Sequence, residues 1–150
     1  MAITQRRMTL KEFLRLPEEK PYLELIDGIV VQKVAPQWQH SVLQPYLASI
    51  IDRHARPRKL AITATELRAT VGPDSLVPDV AVYRWERIPR GEDGKLPNVL
   101  PETPDVAIEI ASPGQGRQKL LDRCRWFVEQ GARLALLGIG HPRQTVSAVG

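Results

Sequence analysis

The sequence predicts an α/β fold, one domain spanning 1–150 around a mixed β-sheet. Three observations carry that prediction. Helical and strand-like apolar spacings alternate along the chain instead of falling into separate blocks. A length of 150 residues suffices for one real core and is short for two. No internal repeat or low-complexity segment breaks the pattern.

The elements follow in order. "TLKEFLRLPEE" opens with Thr9 and places Glu12 three residues later, a capping-box pattern, and Pro17 closes the short helix. "YLELIDGIVVQKV" holds Asp27-Gly28 between apolar runs, a hairpin signal because both residues tolerate positive φ. "HSVLQPYLASIIDRHA" spaces Val42, Leu43, Tyr46, Leu47, Ile50 and Ile51 at helical intervals. Pro45 conflicts with a helix begun at Ser41, so the expected start is Pro45, where proline is tolerated at the first position.

"KLAITATELRATV" and "LVPDVAVYRW" read as two strands joined through "GPDS", 72–75. A polar loop rich in Pro and Gly follows, then a strand over 105–111 and a helix near 116–130. That helix carries Leu120, Cys124, Phe127 and Val128 on one stripe, with Gly131 at its stop position. "RLALLGI" is a further strand, and "QTVSAV" begins another.

Composition limits the function classes. No apolar stretch is long enough to span a bilayer, and "MAITQRRMTLKEF" lacks the apolar core of a secretion signal, so the expected location is cytoplasmic. The single Cys124 has no disulfide partner and lies on an apolar stripe, which reads as a core thiol. The net charge of +4 permits a polyanionic partner without requiring one. The densest basic cluster, "DRHARPRK" at 52–59, reads equally as a solvated helix end or a phosphate-binding patch. Trp38, Trp85 and Trp126 read as packing residues rather than base-stacking platforms.

Two acids stand out because they occupy apolar strands. Asp79 lies near the start of "VPDVAVYRW", and Glu109 in the middle of "PDVAIEIASPG". Strand parity puts Asp79 with Ala81 and Tyr83, and Glu109 with Ala107 and Ala111, small residues that leave room beside it. A buried unpaired carboxylate is costly, so a basic side chain or a metal ion should compensate. Asp105 competes as a partner for Glu109, but four residues along one strand span roughly 13 Å, too far for one ion. Asp79 and Glu109 on neighbouring strands, about 4.8 Å apart, could share one. An oxygen-only donor set suits magnesium or manganese rather than zinc. Salt-bridged structural acids are the alternative reading.

The segments "MTLKEFLRLPEE", "YLELIDGIVV", "VPDVAVY", "PDVAIEIASPG" and "RCRWFVEQGARLALL" together resemble the Uma-type restriction endonuclease family of the PD-(D/E)XK nuclease superfamily, over about residues 8–137. The resemblance implies a restriction-endonuclease-like core with a mixed central sheet flanked by helices. It implies Asp79 and Glu109 as the two motif acids and metal ligands, Glu24 as a supporting acid, and a role for His40. It implies magnesium- or manganese-dependent cleavage of DNA, and a homodimer as a candidate assembly.

The chain also departs from that pattern. Where the superfamily has a lysine two residues after the second acid, this chain has Ala111. Where the family carries the lysine on the following helix, this chain has Arg123, with Lys119 one turn earlier. A guanidinium stabilises charge but does not release its proton near neutrality. The C-terminal segment "ALLGIGHPRQTV" replaces a Trp-rich strand, and the chain ends earlier than the family pattern, which reads as a shortened domain.

Three functions are compatible with these residues. The first is a metal-dependent endonuclease in which Arg123 or Lys119 faces the scissile phosphate. The second is an inactive nuclease-fold protein that binds nucleic acid or a protein partner. The third is a structural homodimer whose acids are only salt-bridged.

Overall fold

Capping chemistry and turn chemistry set the first elements of the computed structural model, which describes residues 6–96, 103–139 and 146–150. Helix α1, Leu10–Phe13, starts in the expected capping box: Thr9 Oγ1 accepts from the Glu12 N–H, and Glu12 Oε2 accepts from the Thr9 N–H at 2.8 Å. Strands β1, Leu23–Ile26, and β2, Ile29–Gln32, form the expected hairpin. Asp27 and Gly28 both take left-handed φ, 50° and 76°, as a two-residue turn requires.

Helix α2 runs from Trp38 to Ala55, seven residues ahead of the expected start. Pro45 lies inside it and denies a donor to the carbonyl of Ser41. Both residues are exposed, so water can serve that carbonyl. The tertiary anchor lies before the proline: His40 and Gln44 are buried on the inner face of α2.

The two long strands expected over 59–71 and 76–85 are four short ones. They are β3 (Ala61–Thr65), β4 (Ala69–Val71), β5 (Asp74–Leu76) and β6 (Val80–Arg84). Both long runs break at the same level. Glu66 takes a left-handed φ of 53°, Pro78 interrupts the facing run, and the Glu66 N–H donates to the Asp79 carbonyl at 3.3 Å. Beyond this break β4 and β5 turn away and pair with each other, and β5 joins β1.

The chain therefore builds two sheets. One is four-stranded and antiparallel, in the order β2-β1-β5-β4. The other is five-stranded, in the order β3-β6-β7-β8-β9, with β7 (Val106–Ala111), β8 (Leu134–Ile139) and β9 (Val146–Val149). The β7–β8 pair is parallel and the rest antiparallel, so this sheet is mixed. Helix α3, Arg117–Glu129, makes the crossover between β7 and β8 that parallel strands need.

The core lies on both faces of the five-stranded sheet. On one side Ala55 of α2 packs with Ala61 and Val82. On the other, Leu120, Cys124 and Phe127 of α3 pack with Ala107, Ala135 and Leu137, and with Ala69 and Leu76 of the second sheet. Trp126 extends the link, donating from Nε1 to Asp74 Oδ2 at 2.9 Å while its ring stands edge-on to Phe127. Trp38 does not pack: it is 82% exposed. Among the described residues no helix is long and apolar enough to cross a membrane.

Candidate active site

The break between the sheets creates the site. Asp79 follows Pro78 and immediately precedes β6, at the junction where the chain leaves one sheet for the other. The β6–β7 register pairs Val80 with Ile108, so one further step sets Asp79 opposite Glu109. Both acids thus stand on the sheet face toward α3, beside the small residues Ala81 and Ala107. Glu24 reaches the same place from β1 of the other sheet. All three carboxylates are buried.

Each acid has its own partners. Asp79 Oδ1 accepts from Lys33 Nζ at 2.9 Å, and Asp79 Oδ2 accepts from the Ile110 N–H at 2.7 Å and lies 3.1 Å from His40 Nε2. Glu24 Oε1 accepts from the Val77 N–H at 2.8 Å and from Arg123 Nη2 at 2.9 Å, while Arg123 Nη1 pairs closely with Glu24 Oε2. The same guanidinium bridges to Glu109, Nη2 to Oε1 at 3.1 Å. This is the only hydrogen bond found to the Glu109 carboxyl among the described residues.

Those partners shape the electrostatics. Burial pushes Asp79 up, but the His40 hydrogen bond and the charge of Lys33 outweigh it and bring the carboxyl down to about 2. Burial pushes Glu109 up, and Asp79 and Glu24 add like charge; Arg123 and Lys33 offset only part of this, leaving it at about 7. Burial lowers Lys33, yet Glu109 and Asp79 prevail and raise it above the usual lysine range. Arg123 is likewise raised, since Glu109 and Glu24 overcome its burial. Cys124, next in sequence to Arg123, is raised to about 11 by burial and by Glu109, which suits the expected core thiol and not a nucleophile.

Five of the sequence-derived candidates, Glu24, His40, Asp79, Glu109 and Arg123, meet in this one cluster. Lys119 stays outside it. It is exposed on α3, with no hydrogen bond or ion pair found among the described residues. Ala111, at the expected lysine position, packs partly buried against the α3 core. Asp105, the competing acid, serves another end of the sheet, accepting from the Arg84 N–H and pairing with Arg87, each at 2.8 Å.

Lys33 was not anticipated. Its signal lay in the hairpin: the two-residue turn pairs Glu24 with Val31, and Lys33, two residues on, shares that face. Its ammonium also donates to the Val77 carbonyl at 2.7 Å. Val77 is thereby pinned at both its N–H and its carbonyl by site residues, and it borders a cleft of about 370 Å³ that Lys20, Tyr22 and Arg68 also line.

Among the described residues no three His, Cys, Asp or Glu side chains are grouped closely enough to hold a metal ion. The donor chemistry nevertheless suits a hard divalent cation at a pair of acids: Asp79 and Glu109 are buried oxygen donors on neighbouring strands, and Glu24 is linked to Glu109 through Arg123. A cationic group, the Arg123 head, already stands between Glu24 and Glu109.

The comparisons agree with the resemblance. The Uma2 family, described as a putative restriction endonuclease, matches residues 10–140. A crystal structure of a putative nuclease of the DUF820 group from Anabaena variabilis is similar at 36% identity and a TM-score of 0.82, covering 94% of this chain and 83% of that one. No curated protein matches. The mixed five-stranded sheet, its flanking helices and the likeness to that nuclease make the fold restriction-endonuclease-like. With most of its length matched and its acids gathered at the sheet junction, the chain belongs to the Uma2 family of putative restriction endonucleases.

Proposed function

We propose that this protein is a magnesium- or manganese-dependent endonuclease that hydrolyses phosphodiester bonds of DNA. One observation carries the reading: three buried carboxylates, Glu24, Asp79 and Glu109, come from separate segments to the junction of the two sheets, where Arg123 and backbone amides join them in one network. In this reading Asp79 and Glu109 hold the ion and Glu24 supports it. A divalent cation held by these acids would polarise a phosphate oxygen as a Lewis acid and make a bound water more acidic.

The chain's own residues supply the rest. Lys33 neutralises Asp79 and ties it to the Val77 backbone, fixing the acid's position. His40, buried in the first turn of α2, orients the other Asp79 oxygen. Arg123 reaches the acids from α3 and offers a forked guanidinium that suits a phosphate oxygen as well as a carboxylate. None of its protons is available for acid catalysis near neutrality.

Nicking of supercoiled plasmid in manganese tests the reading. Wild type should relax the plasmid. Glu109→Gln and Asp79→Asn, folded by circular dichroism, should be slower by roughly 100-fold or more, the scale of losing electrostatic stabilisation of the transition state. The second reading, an inactive DNA-binding member, is favoured by one observation: Arg123 already occupies Glu24 and Glu109. Folded wild type that never cuts, and whose DNA retention weakens steeply with salt, would select it.

A further inference from the structure

Charge balance in the cluster sets up a competition. Counted in the fully ionised form that binds a cation, Glu24, Asp79 and Glu109 carry three negative charges, and Lys33 and Arg123 beside them carry two positive charges. Adding a divalent ion would leave the set one charge positive. Exchanging Arg123 for the ion would leave it neutral, with Lys33 still on Asp79. A buried cluster favours the neutral arrangement, because an uncompensated charge out of water is costly.

Geometry favours the same exchange. The guanidinium takes both Glu24 oxygens and one oxygen of Glu109, so an ion seeking either acid meets Arg123 first. Asp79 is differently placed: Lys33, His40 and the Ile110 amide hold it without Arg123. Arg123 can leave, because its side chain is 16% exposed whereas those of both acids are 2% exposed. It projects from a helix, so rotation about its own stem moves the head without moving the strands.

We infer that Arg123 is an internal counter-cation whose fork on Glu24 and Glu109 closes the place where Asp79 and Glu109 would hold the divalent ion, and that ion binding and the Arg123 fork exclude each other. This inference rests on the metal-dependent reading and adds to it that the resting site is closed by a residue of the chain itself.

Manganese binding by the full chain, read from the electron paramagnetic resonance of free manganese, tests the exchange. Arg123→Gln removes the competing charge, and Arg123→Lys keeps a charge but cannot fork. Affinity should rise from wild type to Arg123→Lys to Arg123→Gln, the last by roughly ten-fold or more, since no buried pair must be broken. Unchanged or weaker binding in both variants, with wild type binding, overturns the exchange and leaves the metal-dependent reading standing. No binding by any of the three removes that reading and the exchange with it. If Arg123→Gln fails to fold, Arg123→Lys decides together with a magnesium titration of wild type followed by nitrogen-15 NMR. The Arg123 Nε–H signal should shift and exchange faster with water as magnesium is added. An unmoved signal at saturating magnesium overturns the inference.

Discussion

Asp79 Oδ2 accepts a 2.7 Å hydrogen bond from the backbone N–H of Ile110, so an acid at the sheet junction is tied to the strand that carries Glu109. The bond pins the Asp79 carboxylate to the backbone of the residue next to Glu109. Removing the carboxyl should therefore loosen the fold as well as the site. Asp79→Ala takes away the counter-charge of Lys33 and the acceptor of the Ile110 amide and should cost about 3–5 kcal/mol in urea unfolding. Asp79→Asn keeps an oxygen for Ile110 and should cost clearly less. Equal losses would mean that charge alone, and not the backbone tether, sets the stability.

The two motif acids should give stability slopes of opposite sign. Asp79 falls from 3.8 to about 2 on folding, so its contribution is present above about 4 and is lost as pH drops toward 2. Glu109 rises from 4.5 to about 7, so the folded state binds the extra proton between those values. Its contribution therefore declines as pH rises from 4.5 to 7 and is level above. Thermal melts across that window should show wild type losing stability with rising pH and Glu109→Gln lacking that decline. A wild type whose Glu109-dependent slope is absent would contradict the placement of this carboxyl in buried, like-charged surroundings.

Lys33 should matter to both fold and reaction. Lys33→Met keeps most of the stem but removes the donor to Asp79 and to Val77. Urea melts should show a loss of about 1–3 kcal/mol for the unmet buried acceptors. Manganese-dependent nicking should slow by roughly 100-fold. Full nicking activity in a folded Lys33→Met would assign Lys33 to structure alone.

The sequence was most informative where local chemistry decides the outcome. Thr9 with Glu12, Asp27-Gly28 and Gly131 each mark a cap or turn whose backbone demands those residue types, and each occurs as expected. The acids were legible for a similar reason: a carboxylate in an apolar strand requires a partner. What escaped depends on contacts between distant segments. The sheet-to-sheet break at Glu66 and Pro78 is set by pairing of β5 with β1, which no local spacing reveals. The start of α2 at Trp38 is set by burial of His40 and Gln44 against the sheet, which overrides the local signal of Pro45. Exposure of Trp38 escaped because an aromatic residue is read as core unless its helix face is known.

Pro45 is accordingly a tolerated defect. Replacing it with alanine restores a donor to the Ser41 carbonyl in an exposed helix interior. Pro45→Ala should stabilise the protein by about 1–3 kcal/mol and raise its melting temperature without altering nicking. A destabilised Pro45→Ala would show that the proline holds a bend that α2 needs.

Anomalous diffraction from crystals soaked in manganese bears most directly on the claim that these acids gather a divalent cation. The expected result is a single strong peak within bonding distance of Asp79 and Glu109, with the Arg123 head turned off Glu24. Manganese-saturated crystals with no peak at the acids, and with Arg123 still forked on Glu24 and Glu109, would contradict it.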